Sequence, residues 1–220
     1  MKYLSIDIET TGLERDRYQI LSIGAIFEDT EKKLPFREIP KFNAAILHHE
    51  ITGSPFALNL NRNLLDTIAR YQDAKDEGSK KKISEETGMI FCQESEVVER
   101  FFHFIYDCGL YESLLQNVKL VDGKIYPALS TNMKPASITV AGKNFGTFDK
   151  VFLERLPRWQ QVIRIKQRII DPGVLFIDWE NDTQIPGLDT CKMRAGIEGE
   201  VTHDALEDAW DIVQLLRKFY

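Results

Sequence analysis

The sequence predicts an α/β domain in which helices cover a mixed β-sheet, and three observations predict it. The first 47 residues read as strands in hairpin-like succession, and the remainder alternates strand-like with helix-like segments. The 220 residues are about 43% hydrophobic, enough for one substantial core, so a single domain over 1–220 is the expectation.

Tyr3 to Glu9 alternates, with Leu4, Ile6 and Ile8 on one face and Tyr3, Ser5, Asp7 and Glu9 on the other. After the break at Thr10-Thr11-Gly12, Gln19 to Phe27 is a second strand, and a third lies within Phe36 to Leu47 despite Pro40. A loop at Thr52-Gly53-Ser54-Pro55 leads into a helix from Phe56 to about Asp73, with Leu60, Leu64, Leu65 and Ile68 on one side. Lys75 to Thr87 is the most polar stretch and reads as an exposed linker or loop, and Glu94 to Leu115 returns to helical spacing through Val97, Val98, Phe101, Phe102 and Ile105. Asp122-Gly123 between Val and Ile residues predicts a small hairpin over Val118 to Leu129. Ser137 to Ala141 is a compact strand, Phe148 to Leu156 a short helix and Arg168 to Asp171 a further strand. Asp204 to Phe219 closes the chain as a helix, with Ala205, Leu206, Ala209, Val213 and Leu216 as its buried stripe.

Charge and cysteines exclude several classes. A net charge of −6 supplies no long-range attraction for a polyanion, so any nucleic acid must be met by a local patch or by metal ions. Cys92, Cys108 and Cys191 are scattered, without a CxxC pair, which argues against a disulfide framework and a thiolate zinc site and fits a reducing, cytoplasmic setting. The N-terminal segment carries two acids where a signal peptide would be apolar, and no run approaches about 18 apolar residues, so no membrane association is expected.

Acids inside a strand are costly unless compensated. Asp7 and Glu9 share a face roughly 6.5–7 Å apart at Cα, and by themselves they fit a solvated strand face. Asp149 opens a helix after the strand Ser137 to Ala141 and the loop Gly142-Lys143-Asn144-Phe145-Gly146; alone it is a favourable helix-terminus charge. In Gly199 to Trp210, Thr202 is a plausible N-cap, His203 stands at the helix entrance and Asp208 lies at the edge of the buried stripe, which also fits a capping histidine and a boundary acid.

Taken together, D-I-E-T-T-G-L from Asp7, G-K-N-F-G-T-F-D ending at Asp149 and H-D-A-L-E-D-A from His203 resemble the DEDD-type 3′-to-5′ exonucleases of the ribonuclease H-like fold, a family that includes ribonuclease T, oligoribonuclease and proofreading subunits. The last motif is similar to the histidine variant, DEDDh, since His203 stands five residues before Asp208 and the position four before it is Asp204 rather than tyrosine. The middle motif departs from the proofreading form: Asn144 lies five residues before Asp149, a spacing more like that of oligoribonuclease. The resemblance implies a ribonuclease H-like mixed sheet flanked by helices, with about residues 75–135 as an insertion. It also implies a metal set of Asp7, Glu9, Asp149 and Asp208 holding two Mg²⁺ or Mn²⁺ ions, and His203 as general base. The reaction implied is removal of 5′ nucleoside monophosphates from the 3′ ends of single-stranded DNA or RNA.

Hard oxygen ligands suit such ions, and clustered acids make physical sense when cations neutralise them. By the same resemblance, Thr10 to Leu13 contacts the terminal nucleotide, with Leu13 against a base, or else Leu13 is a loop residue covering the core. Asn144 and Phe145 join Thr10 and Leu13 as substrate-binding candidates, and Phe145 and Phe148 either stack on bases or fill the core, with stacking favoured only for Phe145. Arg155 to Arg168 holds five basic residues, Trp159 and no acid, and either guides a single strand or is an ordinary basic surface. His48-His49 has no identifiable ligand partners. A homodimer or a polymerase or repair partner remains open, as do two competing classes: an inactive nucleic-acid-binding or subunit-docking module, and a hydrolase of small phosphate esters, which would need a closed pocket.

Overall fold

The computed structural model describes residues 1–111, 118–129, 133–199 and 201–220. Strands β1 (Lys2–Thr10), β2 (Ile20–Asp29) and β3 (Lys41–Leu47) form an antiparallel meander. Helices α1 (Pro55–Leu60), α2 (Arg62–Asp73) and α3 (Glu77–Thr87) follow, then β4 (Ile90–Gln93) and α4 (Glu94–Asp107). A hairpin of β5 (Val118–Val121) and β6 (Lys124–Pro127) precedes β7 (Ala136–Ile138) and β8 (Val140–Ala141). The chain ends with α5 (Asp149–Leu153), α6 (Trp159–Val162), β9 (Ile163–Ile165), a 3₁₀ turn at Pro172–Phe176, α7 (Leu188–Ala195) and α8 (Ala205–Leu216). The main sheet runs β4-β3-β2-β1-β8, with β4 parallel to β3 and β8 parallel to β1.

Both sheet faces are covered, which explains why β2 is buried along its whole length. Leu4, Ile6 and Ile8 pack on Val97, Phe101 and Phe102 of α4 and on Phe152 and Trp159. Tyr3 and Ile26 meet Leu206, Ala209, Val213 and Leu216 of α8 on the opposite face. The alternation of β1 therefore directs Ser5, Asp7 and Glu9 toward α8, not toward open water.

Several local expectations change. Lys75 to Thr87 is no linker: Asp76 caps α3 by accepting from the Ser79 amide at 2.9 Å, Ile83 is buried and Gly88 ends the helix at φ 64°. The helix expected over Phe56 to Asp73 divides at the buried Asn61. The stretch of about 75–135 stands outside the main sheet only in part, because β4 is its edge strand and α4 covers it. The separate piece is the β5–β6 hairpin, whose turn residues Asp122 (φ 49°) and Gly123 (φ 78°) are both left-handed, as a two-residue hairpin turn requires. The helix expected from Glu94 to Leu115 ends earlier, at Asp107, where Cys108 caps it, and 108–111 are not helical; Leu115 itself lies outside the described residues. Strand pairing after Val162 falls at β9, parallel to β7, with only an isolated bridge at Ile170 where Arg168 to Asp171 was expected as a strand. Among the described residues no helix is long and apolar enough to cross a membrane.

Candidate active site

Three segments converge at the C-terminal end of β1: the strand itself, the start of α5 and the stretch entering α8. Asp7 is half-buried, and Glu9 is buried just before the bulge that ends regular pairing between Glu9 and Thr10. Asp149 enters from the first turn of α5, where its Oδ1 accepts from the Ile8 amide at 3.1 Å, a bond that ties the helix start to β1. Asp208 comes from the first turn of α8 and is 6% exposed, with an Oδ1 that has no hydrogen-bond partner. His203 is exposed, in left-handed backbone (φ 54°), immediately before the true N-cap Asp204, whose Oδ1 accepts from Leu206 and Glu207 at 3.0 and 3.1 Å. Thr202, the expected cap, instead donates to the Glu207 carboxylate at 2.7 Å. Ligand atoms of Glu9, His203 and Asp208 all lie within 4.8 Å of one another.

The close approach of α8 depends on a residue that sequence reasoning passed over. Gly24 is the β2 partner of Asp7, and a Cβ there would lie 2.2 Å from the backbone carbonyl carbon of Ala205. Only a glycine lets the start of α8 rest on the sheet beside Asp7. Its signal was present in the sequence: a lone glycine inside an otherwise apolar strand.

Burial raises every acid of the cluster. Glu9 is carried up to about 8 by desolvation and then by Asp208, although the Asn61 side chain opposes this. Asp208 rises to about 7, first by desolvation and then by Asp211 and Asp204, with Lys192 pulling the other way. Asp7 is raised well above the carboxylate range by burial and by Asp149, Asp208 and Glu9. Asp149 is raised chiefly by burial. Behind Asp208, Lys192 of α7 and Asp211 of α8 form a buried ion pair at 2.5 Å, which the sequence did not signal. A set of hard oxygen donors with one imidazole, an orphaned carboxylate oxygen and mutually raised proton affinities fits a divalent cation.

A cavity of about 400 Å³ adjoins the acids, lined by Asp7, Leu13, Lys143, Asn144, Phe148 and Asp149 among others. That volume suits a small-molecule moiety. Leu13, 82% exposed, projects from a turn in which Thr10 Oγ1 donates to the Gly12 carbonyl at 2.9 Å and the Ser54 amide donates to the Thr11 carbonyl at 2.9 Å. Asn144 takes φ 54°, its amide held by Asp171 at 3.1 Å. Thr10 itself is buried.

Solved structures share this architecture. The nuclease domain of 3′hExo, a DEDDh family member bound to rAMP, aligns with a TM-score of 0.57 at 12% identity, over 99% of this chain and 90% of that one. The fold is that of the DEDDh nucleases. E. coli Exonuclease I in complex with a dT13 oligonucleotide aligns with a TM-score of 0.54 at 15% identity, over 99% of this chain and 40% of that one. No protein-family model and no curated protein sequence matches the chain.

Within the DEDDh fold, two aromatic expectations are corrected. Phe145 is 1% exposed and belongs to the main core, so it cannot stack on a base; the half-buried Phe148 lines the cavity in its place. Trp159 is likewise buried, stacked on Phe101 with ring centroids 5.3 Å apart, and leaves the basic stretch without an exposed aromatic. His48 bonds the Ile20 carbonyl at 2.7 Å through Nε2 and is not part of the acidic cluster.

Proposed function

We propose that this protein is a metal-dependent 3′-to-5′ exonuclease, one domain over 1–220, acting on single-stranded DNA or RNA and releasing 5′ nucleoside monophosphates. The observation that carries the proposal is the meeting of Asp7, Glu9, Asp149 and Asp208 with His203 beside an open cavity of nucleotide size. The two structural neighbours support it: one is a nuclease domain bound to rAMP and the other an exonuclease in complex with a dT13 oligonucleotide.

In this reading the four carboxylates would hold two Mg²⁺ or Mn²⁺ ions, which when bound supply Lewis-acid stabilisation of the phosphoryl oxygens and lower the pKa of water. His203, exposed at the rim and within ligand distance of Glu9 and Asp208, takes the proton of the attacking water. Leu13 and Phe148 grip the terminal base, while Asn144 and the backbone around Thr10 orient its sugar. An open cavity with an exposed Leu13 at its mouth suits a chain end better than a small ester enclosed on all sides.

The test is incubation with 5′-labelled single-stranded DNA and RNA in Mg²⁺, Mn²⁺ or EDTA, beside Asp7→Ala. Shortening from the 3′ end by the parent alone, abolished by EDTA, is the expected result. Failure to shorten any polymer or short oligonucleotide overturns the proposal.

A further inference from the structure

The basic stretch from Arg155 to Arg168 is not absorbed by the acidic site, and the structure gives it a form. Arg164, Lys166 and Arg168 are exposed on alternate positions, while Ile163 and Ile165 between and beside them are buried. All three line a single cleft of about 600 Å³ with Ser137, Thr139 and Gln167. Among the described residues none of the three has a carboxylate within ion-pairing distance; the one side-chain contact they make with the fold is from Lys166 Nζ to Thr139 Oγ1 at 3.1 Å. In a chain of net charge −6 the three make this cleft a local concentration of positive charge.

The cleft shares no lining residue with the cavity beside the acids and is bordered by Met1, at the far end of β1 from Asp7, but the edge that carries it leads toward the candidate active site. Arg164 pairs with Ser137 and Ile170 bridges to Ala141, so this edge is four residues, about 13 Å, long. Ala141 pairs with Ser5, and Asp7 lies two residues, about 7 Å, farther along β1. Directly after Ile170, Asp171 holds the Asn144 amide and the Lys143 ammonium (3.5 Å) at the wall of the nucleotide cavity. Counted along the strands, Arg168 to Arg164 thus stand about 13 Å to about 20 Å from the level of Asp7, with Lys143, paired to Asp171, between them and the acids.

We propose that this cleft binds the phosphate backbone of a single strand upstream of its 3′ terminus, which makes polynucleotides, not dinucleotides, the substrate class. The inference rests on the exonuclease reading. Without an exposed aromatic in the cleft, contact is to phosphates and carries no base preference.

The test combines Arg164→Ala, Lys166→Ala and Arg168→Ala in one variant of the full chain; all three sites are exposed, and an unchanged melting temperature verifies the fold. Binding of a fluorescein-labelled 20-nucleotide strand is measured by anisotropy in EDTA at 50 and 200 mM salt. Hydrolysis of the p-nitrophenyl ester of thymidine 5′-monophosphate is measured in Mn²⁺. Losing three phosphate contacts lowers the salt slope by about 2, so the parent weakens roughly sixteenfold more than the variant over that fourfold change in salt. Ester hydrolysis stays unchanged, since the ester does not reach the cleft. Equal affinity and equal salt slope for parent and variant overturn the proposal, as does a parent that binds the 20-mer no better than a dinucleotide. A parent that neither cleaves the ester nor shortens the labelled strand in Mn²⁺ overturns the exonuclease reading alone and leaves the binding comparison to judge the cleft.

Discussion

Replacing Asp208 by asparagine should stabilise the metal-free protein, against the usual direction for a change at a buried residue. Asp208 is 6% exposed, and its Oδ1 has no hydrogen-bond partner. Desolvation, Asp211 and Asp204 raise its carboxyl to about 7 even with Lys192 opposing them. An unfolded aspartate titrates near 3.9, so folding favours the protonated form. This contribution is fully present below about pH 4 and is lost as pH rises through 7. At pH 8 the ionised side chain costs about 4 kcal/mol relative to the unfolded state, and at pH 5 about 1.5 kcal/mol. The amide introduced by Asp208→Asn has nearly the same shape as the carboxylate and carries no charge, so the variant escapes that cost. For a chain of this length the gain corresponds to roughly 8–16 °C in melting temperature at pH 8 and much less at pH 5. The assay is thermal melting in EDTA at both pH values, repeated with Mn²⁺, which should raise the parent and affect the variant less. A variant that melts below the parent at pH 8 in EDTA would refute the idea that an unpaired, desolvated charge sits at this position.

Three further outcomes are expected. His203→Gly should melt no lower than the parent, because glycine takes φ 54° without strain, yet turnover should fall about 10²–10⁴-fold; unchanged kcat at saturating Mn²⁺ would remove His203 from the proton-transfer role. Phe145→Ala should cost about 3–5 kcal/mol of stability, whereas Phe148→Ala should mainly raise KM for oligonucleotides, and melting curves with steady-state kinetics separate the two. Gly24→Ala should lower the melting temperature and weaken Mn²⁺ binding about 10–100-fold by displacing the start of α8, an outcome contradicted if Mn²⁺ titration and melting both match the parent.

Residue order alone made legible the strand–helix succession, the common face of Asp7 and Glu9, and the motifs that bring in Asp149, His203 and Asp208. Those features depend on local geometry: a strand repeats every two residues and a helix every 3.6, so the side on which a residue falls is written into its spacing. Which face of β1 receives α8 was settled by packing, and with it the desolvation of acids that spacing leaves free to face water. Packing also chose between Phe145 and Phe148, because Asn144 turns the loop through a left-handed conformation that no periodicity encodes. Trp159 went to the core while the arginines around it stayed outside, and Lys192 found Asp211 across two helices. Gly24 shows the reason most plainly: its missing side chain has no meaning within β2, and gains one only when Ala205, 181 positions away in the chain, is laid against it. Burial and pairing are set by segments distant in sequence, so they become readable only once the chain has brought those segments together.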